Sequence, residues 1–388
     1  MTEAPRLRIA LLTHSTNPRG GVVHTLELAD ELTILGHDVT VFAPDVTQEG
    51  FFRPTLCKTC AVPAEPAGAD IAATVARRVE EYLRYFHGAG AAQFDVWHGQ
   101  DGISGNALAT LKDRGAIPAF VRTVHHVDQF FDPRLTAFQR RSIESADRLL
   151  CVSELWRTWL RREFDREAIV VGNGVDLRRF SPLPGPTDRV LRQRLGFRTE
   201  AEIFLAVGGV EERKNTLSIL DAFRRVFSVQ PAARLVIAGG ASLLDHGAYQ
   251  ECFAQALAAS GLPDSAVLRT GPLPQDLMPA LFRAATALVF PSLKEGFGLV
   301  VLEAMASGTP VIVSRIAPFT EYLTDDDVLW CSPDKPASVA DAMMMALRSA
   351  TRERLRSAGL KRAAYFDWSR VAAAHLAQYA LIRESCDA

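Results

Sequence analysis

Residues 287–314 constrain this chain more than any other stretch. Ala287 to Phe290 is a short apolar run, which reads as a buried strand. Gly296 and Gly298 follow in a turn, and Leu299 to Ala306 are good helix formers. Gly308 stands where a helix end calls for a left-handed residue, and Pro310 bars any extension. Val311-Ile312-Val313 is then the next buried strand. A glycine turn feeding a helix start presents free N–H groups and the positive end of the helix dipole, which suits a phosphate. Glu295 and Glu303 flank the turn with seven residues between them. Carboxylates suit sugar hydroxyls better than phosphates, so the pair of features points to a nucleotide sugar.

The rest of the chain is long enough to need two such units. At 388 residues it exceeds what one core usually organises. Its 48% hydrophobic and 23% charged residues are ordinary for a globular protein. Net charge is −2, and each half lies near neutrality, so nucleic acid is not expected as a partner. The N-terminal apolar run, Ile9 to Leu12, is too short for a signal peptide or a membrane span, and a reducing cytoplasm is the expected compartment. Cys57 and Cys60 form a CxxC with no second pair to complete a zinc site, so free thiols are expected there.

Arg8 to Thr13 reads as a strand, and Val22, Leu26, Ala29, Leu32 and Leu35 recur at helical spacing. Val39 to Phe42 is the next strand, which makes a βαβ opening. The turn between holds Gly20-Gly21 rather than G-x-G-x-x-G, which argues against a nicotinamide or flavin cofactor. Residues 45–69, rich in Pro, Ala and Gly, read as a loop insertion. The strand ends at His98 and at Val124 lie where ligands of parallel sheets bind, so His98, Asp101 and one of His125 and His126 are candidate acceptor-site or catalytic residues. The helix 154–164 carries Trp156, Arg157, Trp159, Arg161 and Arg162, so peripheral contact with a membrane stays open beside a plain surface helix. Ser181 to Pro186 reads as a proline-rich linker. A second βα pattern restarts at Ile203 to Val207, and Arg213 and Lys214 lie in its glycine turn, as a diphosphate would require.

The segment EGFGLVVLEAMASGTPVI, with Glu295-x7-Glu303, resembles the motif of retaining glycosyltransferases of family 4. The resemblance covers nearly the whole chain. It implies an α/β GT-B fold of two Rossmann-like domains facing across a cleft. The domains would be 1–178 on the acceptor side and 179–364 on the donor side, with 365–388 a helix crossing back to the first. It implies transfer of a hexose from a nucleoside diphosphate sugar to an acceptor hydroxyl with the anomeric configuration retained, without a metal or cofactor. Lipid, glycan and small polyol acceptors are equally compatible. By resemblance, Glu295 holds hydroxyls of the donor hexose, Glu303 the ribose, and the turn Gly296, Phe297, Gly298 and Leu299 meets the donor. Thr123-Val124-His125 matches a Thr-x-His whose histidine contacts the donor sugar, which selects His125 over His126. Gly21 matches a glycine whose amide approaches the donor diphosphate or the acceptor, and Asn173-Gly174-Val175-Asp176 matches the segment at the domain crossing. Lys214 matches a diphosphate-binding lysine. One departure stands out: where the family carries an arginine after the first glycine, this chain has Gly209, leaving Arg213 to supply a guanidinium from another direction. Two other outcomes share the fold, a nucleotide-sugar epimerase and a binding protein that does not turn its ligand over.

Overall fold

Alternating apolar strands and helices build two parallel sheets in the computed structural model, which describes residues 5–88, 94–196, 201–240 and 247–387. The chain divides into two compact units: residues 1–174 with 368–388, and residues 175–367.

The first unit carries β1 (Arg8–Leu12), α1 (Gly20–Ile34), β2 (Asp38–Asp45), β3 (Lys58–Pro63), α2 (Ile71–Gly88), β4 (Val96–Gly99) and α3 (Gly102–Asp113). It continues with β5 (Val121–Val124), α4 (Pro133–Glu144), β6 (Arg148–Cys151), α5 (Glu154–Phe164) and β7 (Ile169–Val170). The strands pair in parallel in the order β3-β2-β1-β4-β5-β6-β7. β4 and β5 are buried along their whole length, as strands covered by helices on both faces must be. β3 lies inside the segment read as a loop; only its Val62 is buried, as suits an edge strand, and so weak an apolar signal does not stand out among prolines and glycines.

The second unit carries α6 (Pro186–Leu195), β8 (Ile203–Val207), α7 (Thr216–Val229), β9 (Arg234–Ala238), α8 (Gly247–Ala258), β10 (Val267–Gly271) and α9 (Met278–Ala284). Then come β11 (Ala287–Phe290), α10 (Leu299–Ala306), β12 (Val311–Ser314), α11 (Phe319–Tyr322), β13 (Leu329–Cys331), α12 (Pro336–Ala346) and α13 (Ser349–Ala363). Its sheet runs β10-β9-β8-β11-β12-β13, again parallel. Part of the helix expected over 243–259 lies outside the described residues.

The chain returns to the first unit as α14 (Trp368–Asp387), which packs against α1. The two crossings explain two glycine and aromatic choices. A Cβ at Gly174 would lie 2.9 Å from the Trp368 ring and backbone, so only glycine fits beneath that indole. One residue on, the Val175 N–H donates to the Phe366 carbonyl at 2.8 Å within the second unit. The expected boundary at 178 thus falls at 174, and Pro186 begins a helix rather than ending a linker, because proline at a first helical position forfeits no hydrogen bond.

In α5, Trp156 is buried and stacks edge-on with Trp159, while Arg157 pairs with Glu154 and Arg162 with Glu163. Its aromatics face the protein and its arginines pair with acids, the pattern of a surface helix. Among the described residues, no helix is long and apolar enough to cross a membrane.

Candidate active site

In each sheet the strand order reverses once: between β1 and β4 in the first, and between β8 and β11 in the second. Carboxyl ends at such a reversal are where parallel sheets open a crevice. The candidate residues fall at these two places, each described within its own unit.

In the second unit the turns after β8 and β11 are laced together. Leu293 N–H donates to the Arg213 carbonyl at 2.9 Å, and Asn215 Nδ2 donates to the carbonyls of Pro291 and Pro333 at 3.2 and 2.6 Å. This brings three charges to one point. Glu295 Oε1 accepts from Lys214 Nζ at 2.7 Å and from Arg213 Nη1 at 2.6 Å. The Lys214 stem lies over Gly208, where a Cβ would come 2.7 Å from its Cε, and the ammonium sits 4.2 Å from the centre of the Phe290 ring. Burial pushes the Glu295 carboxyl up, but Lys214 and Arg213 overcome it and hold it below the ordinary glutamate value. Burial draws the Lys214 ammonium down, with Glu295 opposing and Arg213 adding to the fall. Arg213 is the exposed member, with 44% of its side chain accessible against 13% for Lys214.

Gly298, at φ 92°, turns the chain into α10, and a Cβ there would come 2.5 Å from Phe319 Cε1. Gly298, Leu299 and Glu303 keep partial exposure, so the helix start is open on one side. Phe297 packs inward from this turn. Its side chain is buried and stacks on Tyr322 with ring centres 4.6 Å apart, and Tyr322 OH donates to its carbonyl at 2.9 Å. It braces the turn. Gly209 has φ 79°, and a Cβ there would lie 2.9 Å from the Gly240 carbonyl oxygen. The missing arginine is therefore excluded by the local backbone: two glycine turns pack main chain against main chain.

In the first unit, Gly21 and His125 come together: a Cβ at Gly21 would lie 3.4 Å from His125 Cδ2. The His24 ring stands edge-on to that of His125 at 4.6 Å, and His24 Nδ1 is 2.7 Å from Asn173 Oδ1. His98 departs from its expected place at an acceptor. It has no exposed surface, and its nitrogens lie 2.8 Å from Tyr379 OH on α14 and 2.8 Å from Thr123 Oγ1. Parallel-strand side chains alternate faces, and His98 points into the layer under α14. Asp101 sits at the start of α3. It caps α3 through Ser104 N at 2.9 Å, while its second oxygen stands 3.6 Å from His14 Nδ1. His126 is exposed and pairs with Asp128.

Burial and the neighbouring His24, Arg122, His126 and His98 hold His125 well below the ordinary histidine value. Burial likewise lowers His24 to about 4, with Asn173 opposing, and His375 on α14 to about 3. This unit therefore keeps a cluster of neutral imidazoles. Among the described residues no group of three His, Cys, Asp or Glu side chains is placed to hold a metal ion.

Residues 18–179 match the model described as Glycosyltransferase Family 4, and residues 188–362 match the one described as Glycosyl transferases group 1. A D-inositol 3-phosphate glycosyltransferase of Frankia alni is 30% identical, over 94% of this chain and 95% of its own. The chain belongs to glycosyltransferase family 4. A GDP-mannose-dependent alpha-(1-6)-phosphatidylinositol dimannoside mannosyltransferase of Mycobacterium tuberculosis is 26% identical to this glycosyltransferase, over 96% of its chain and 95% of the relative's. Among solved structures, sucrose-phosphate synthase from Thermosynechococcus elongatus matches at a TM-score of 0.81 with 22% identity, covering 98% of this chain and 100% of that one. Anabaena HepE in complex with UDP-glucose matches at 0.77 with 18% identity, covering 98% and 100%. At these identities the likeness is one of fold, GT-B with two Rossmann-like domains.

Several residues of the glycosyltransferase's candidate site were invisible in its sequence. Phe290 and Tyr322 carried only an apolar signal. Gln100 carries no signal of its own beyond its place after β4, and His375 and Tyr379 lie far along the chain from the strands they meet.

Proposed function

We propose that this glycosyltransferase transfers a hexosyl group from a nucleoside diphosphate sugar to an acceptor hydroxyl with retention at the anomeric carbon, without a metal or cofactor. The observation that carries the reading is the convergence of Lys214 and Arg213 on Glu295 beside the open start of α10. A departing nucleoside diphosphate gains negative charge as its bond to the sugar breaks. Lys214, Arg213 and the N–H groups of Gly298 and Leu299 stabilise that charge as it develops. Glu295 accepts hydroxyls of the donor hexose and supports positive charge at the anomeric carbon, while Glu303 takes the ribose. In the first unit, His125 meets the donor sugar and Gly21 offers its amide. The names of the relatives favour an inositol-bearing acceptor, as a free phosphate or in a lipid.

The test is a panel of UDP, GDP and ADP sugars with inositol phosphates and phosphatidylinositol, in EDTA, reading nucleotide release and the anomeric configuration of the product by NMR. Turnover with retention, abolished in Glu295→Ala, is the expected result. Donors that bind, raise the melting temperature and are never turned over would leave a binding protein instead.

A further inference from the structure

We propose that Gln100 is a positioning residue: its side-chain carbonyl fixes the ring orientation and tautomer of His125, leaving Nδ1 as the acceptor presented to substrate. This rests on the substrate-facing role of His125 proposed above.

His125 Nε2 lies 2.9 Å from Gln100 Oε1. An amide oxygen only accepts, so Nε2 must carry the proton. A neutral imidazole has a single N–H, and its other nitrogen then offers a lone pair. Among the described residues no hydrogen bond is made to His125 Nδ1. Gly21 packs on the Cδ2 side of the ring, which places the Nδ1–Cε1 edge on the far side. His24 closes one flank, edge-on. The ring is thus held on three sides, with its lone-pair edge left unbonded.

Gln100 is itself pinned. It is 2% exposed, and its backbone N–H donates to the Leu12 carbonyl at 2.9 Å and to Ser104 Oγ at 3.0 Å. Its amide nitrogen stands 3.3 and 3.2 Å from the two nitrogens of His98, so turning the amide over would exchange its contacts with both histidines at once. His98 is in turn held by Thr123 and by Tyr379 of α14. A chain of contacts therefore runs from the C-terminal helix through His98 and Gln100 to His125. A half-buried ring whose surroundings disfavour its charged form, as those of His125 do, has a defined tautomer only if something chooses it. Here that choice falls to Gln100.

The experiment uses the full chain with 15N-histidine, with the His125 signals assigned by their loss in His125→Ala. At pH 8 the wild type should show His125 as the Nε2–H tautomer; the Nδ1–H form would overturn the proposal without any variant. In Gln100→Leu the tautomer should mix, and kcat should fall on the order of tenfold to a hundredfold with KM for the donor unchanged. Gln100→Glu, which keeps an accepting oxygen, should restore the tautomer and most of kcat. Equal losses in both variants at equal melting temperature would mean that the oxygen is not what matters. If His125→Ala leaves turnover untouched, the catalytic role of His125 fails, while the wild-type tautomer still reports on Gln100.

Discussion

Glu295 shows how one carboxylate can serve both fold and chemistry. It is buried, and its charge is tolerated because two cations share one of its oxygens. Glu295→Gln should cost about 1–3 kcal/mol in the unfolding of the second unit, measured by denaturant melts, since buried Lys214 is left unpaired. Its pH dependence follows from the direction of the shift. A carboxyl held below its unfolded value contributes stability above that unfolded value and loses it as pH falls through the folded one. Wild type and Glu295→Gln should therefore converge in stability on the acid side of the ordinary glutamate range. Gly209 carries the opposite lesson. Placing there the arginine that the resemblance implies forces a side chain onto a left-handed backbone 2.9 Å from a carbonyl oxygen. Gly209→Arg should destabilise by more than about 1 kcal/mol and gain no turnover. Equal stability with faster turnover would show that Arg213 does not stand in for it.

Among the elements, β11, α10 and β12 were legible because their signals are local. Gly298 and Gly308, at φ 92° and 76°, sit at the helix start and end that the residue order demanded. α6 was hidden because Pro182, Pro184 and Pro186 look alike in a sequence, although only the last opens a helix. α14 was legible as a helix but silent about its partners. Its Tyr379 hydroxyl lies 2.8 Å from His98 Nδ1, deep under the first sheet. Tyr379→Phe should lower the stability of the first unit by about 1 kcal/mol, read from its thermal melt, with little change in the second. Loss in both units alike would mean that the helix does not belong to one of them.

At the scale of the whole molecule, four of the described histidines gather in the first unit. His24, His98, His125 and His375 are all held below the free histidine value, mainly by burial. A base whose folded value is depressed makes the unfolded chain bind more protons, so stability falls as pH drops below about 6.5. For His24 and His375 the fall continues to about 4 and about 3. The first unit should melt at a markedly lower temperature at pH 5 than at pH 7.5, and His375→Leu should flatten that dependence. A flat wild-type profile would show that the cluster is not neutral. What the residue order determined alone was the repeated strand–turn–helix grammar, the glycine positions and the charges in the donor-side turn, because these depend on neighbours within a few residues. Only the tertiary structure decided that Lys214 and Arg213 meet on Glu295, that Gly209 admits no side chain, and that His98 supports rather than touches. Each of those depends on which strands lie side by side and which face a side chain takes. Parallel strands joined by helical crossovers bring together residues whose separation along the chain says nothing of their distance in space.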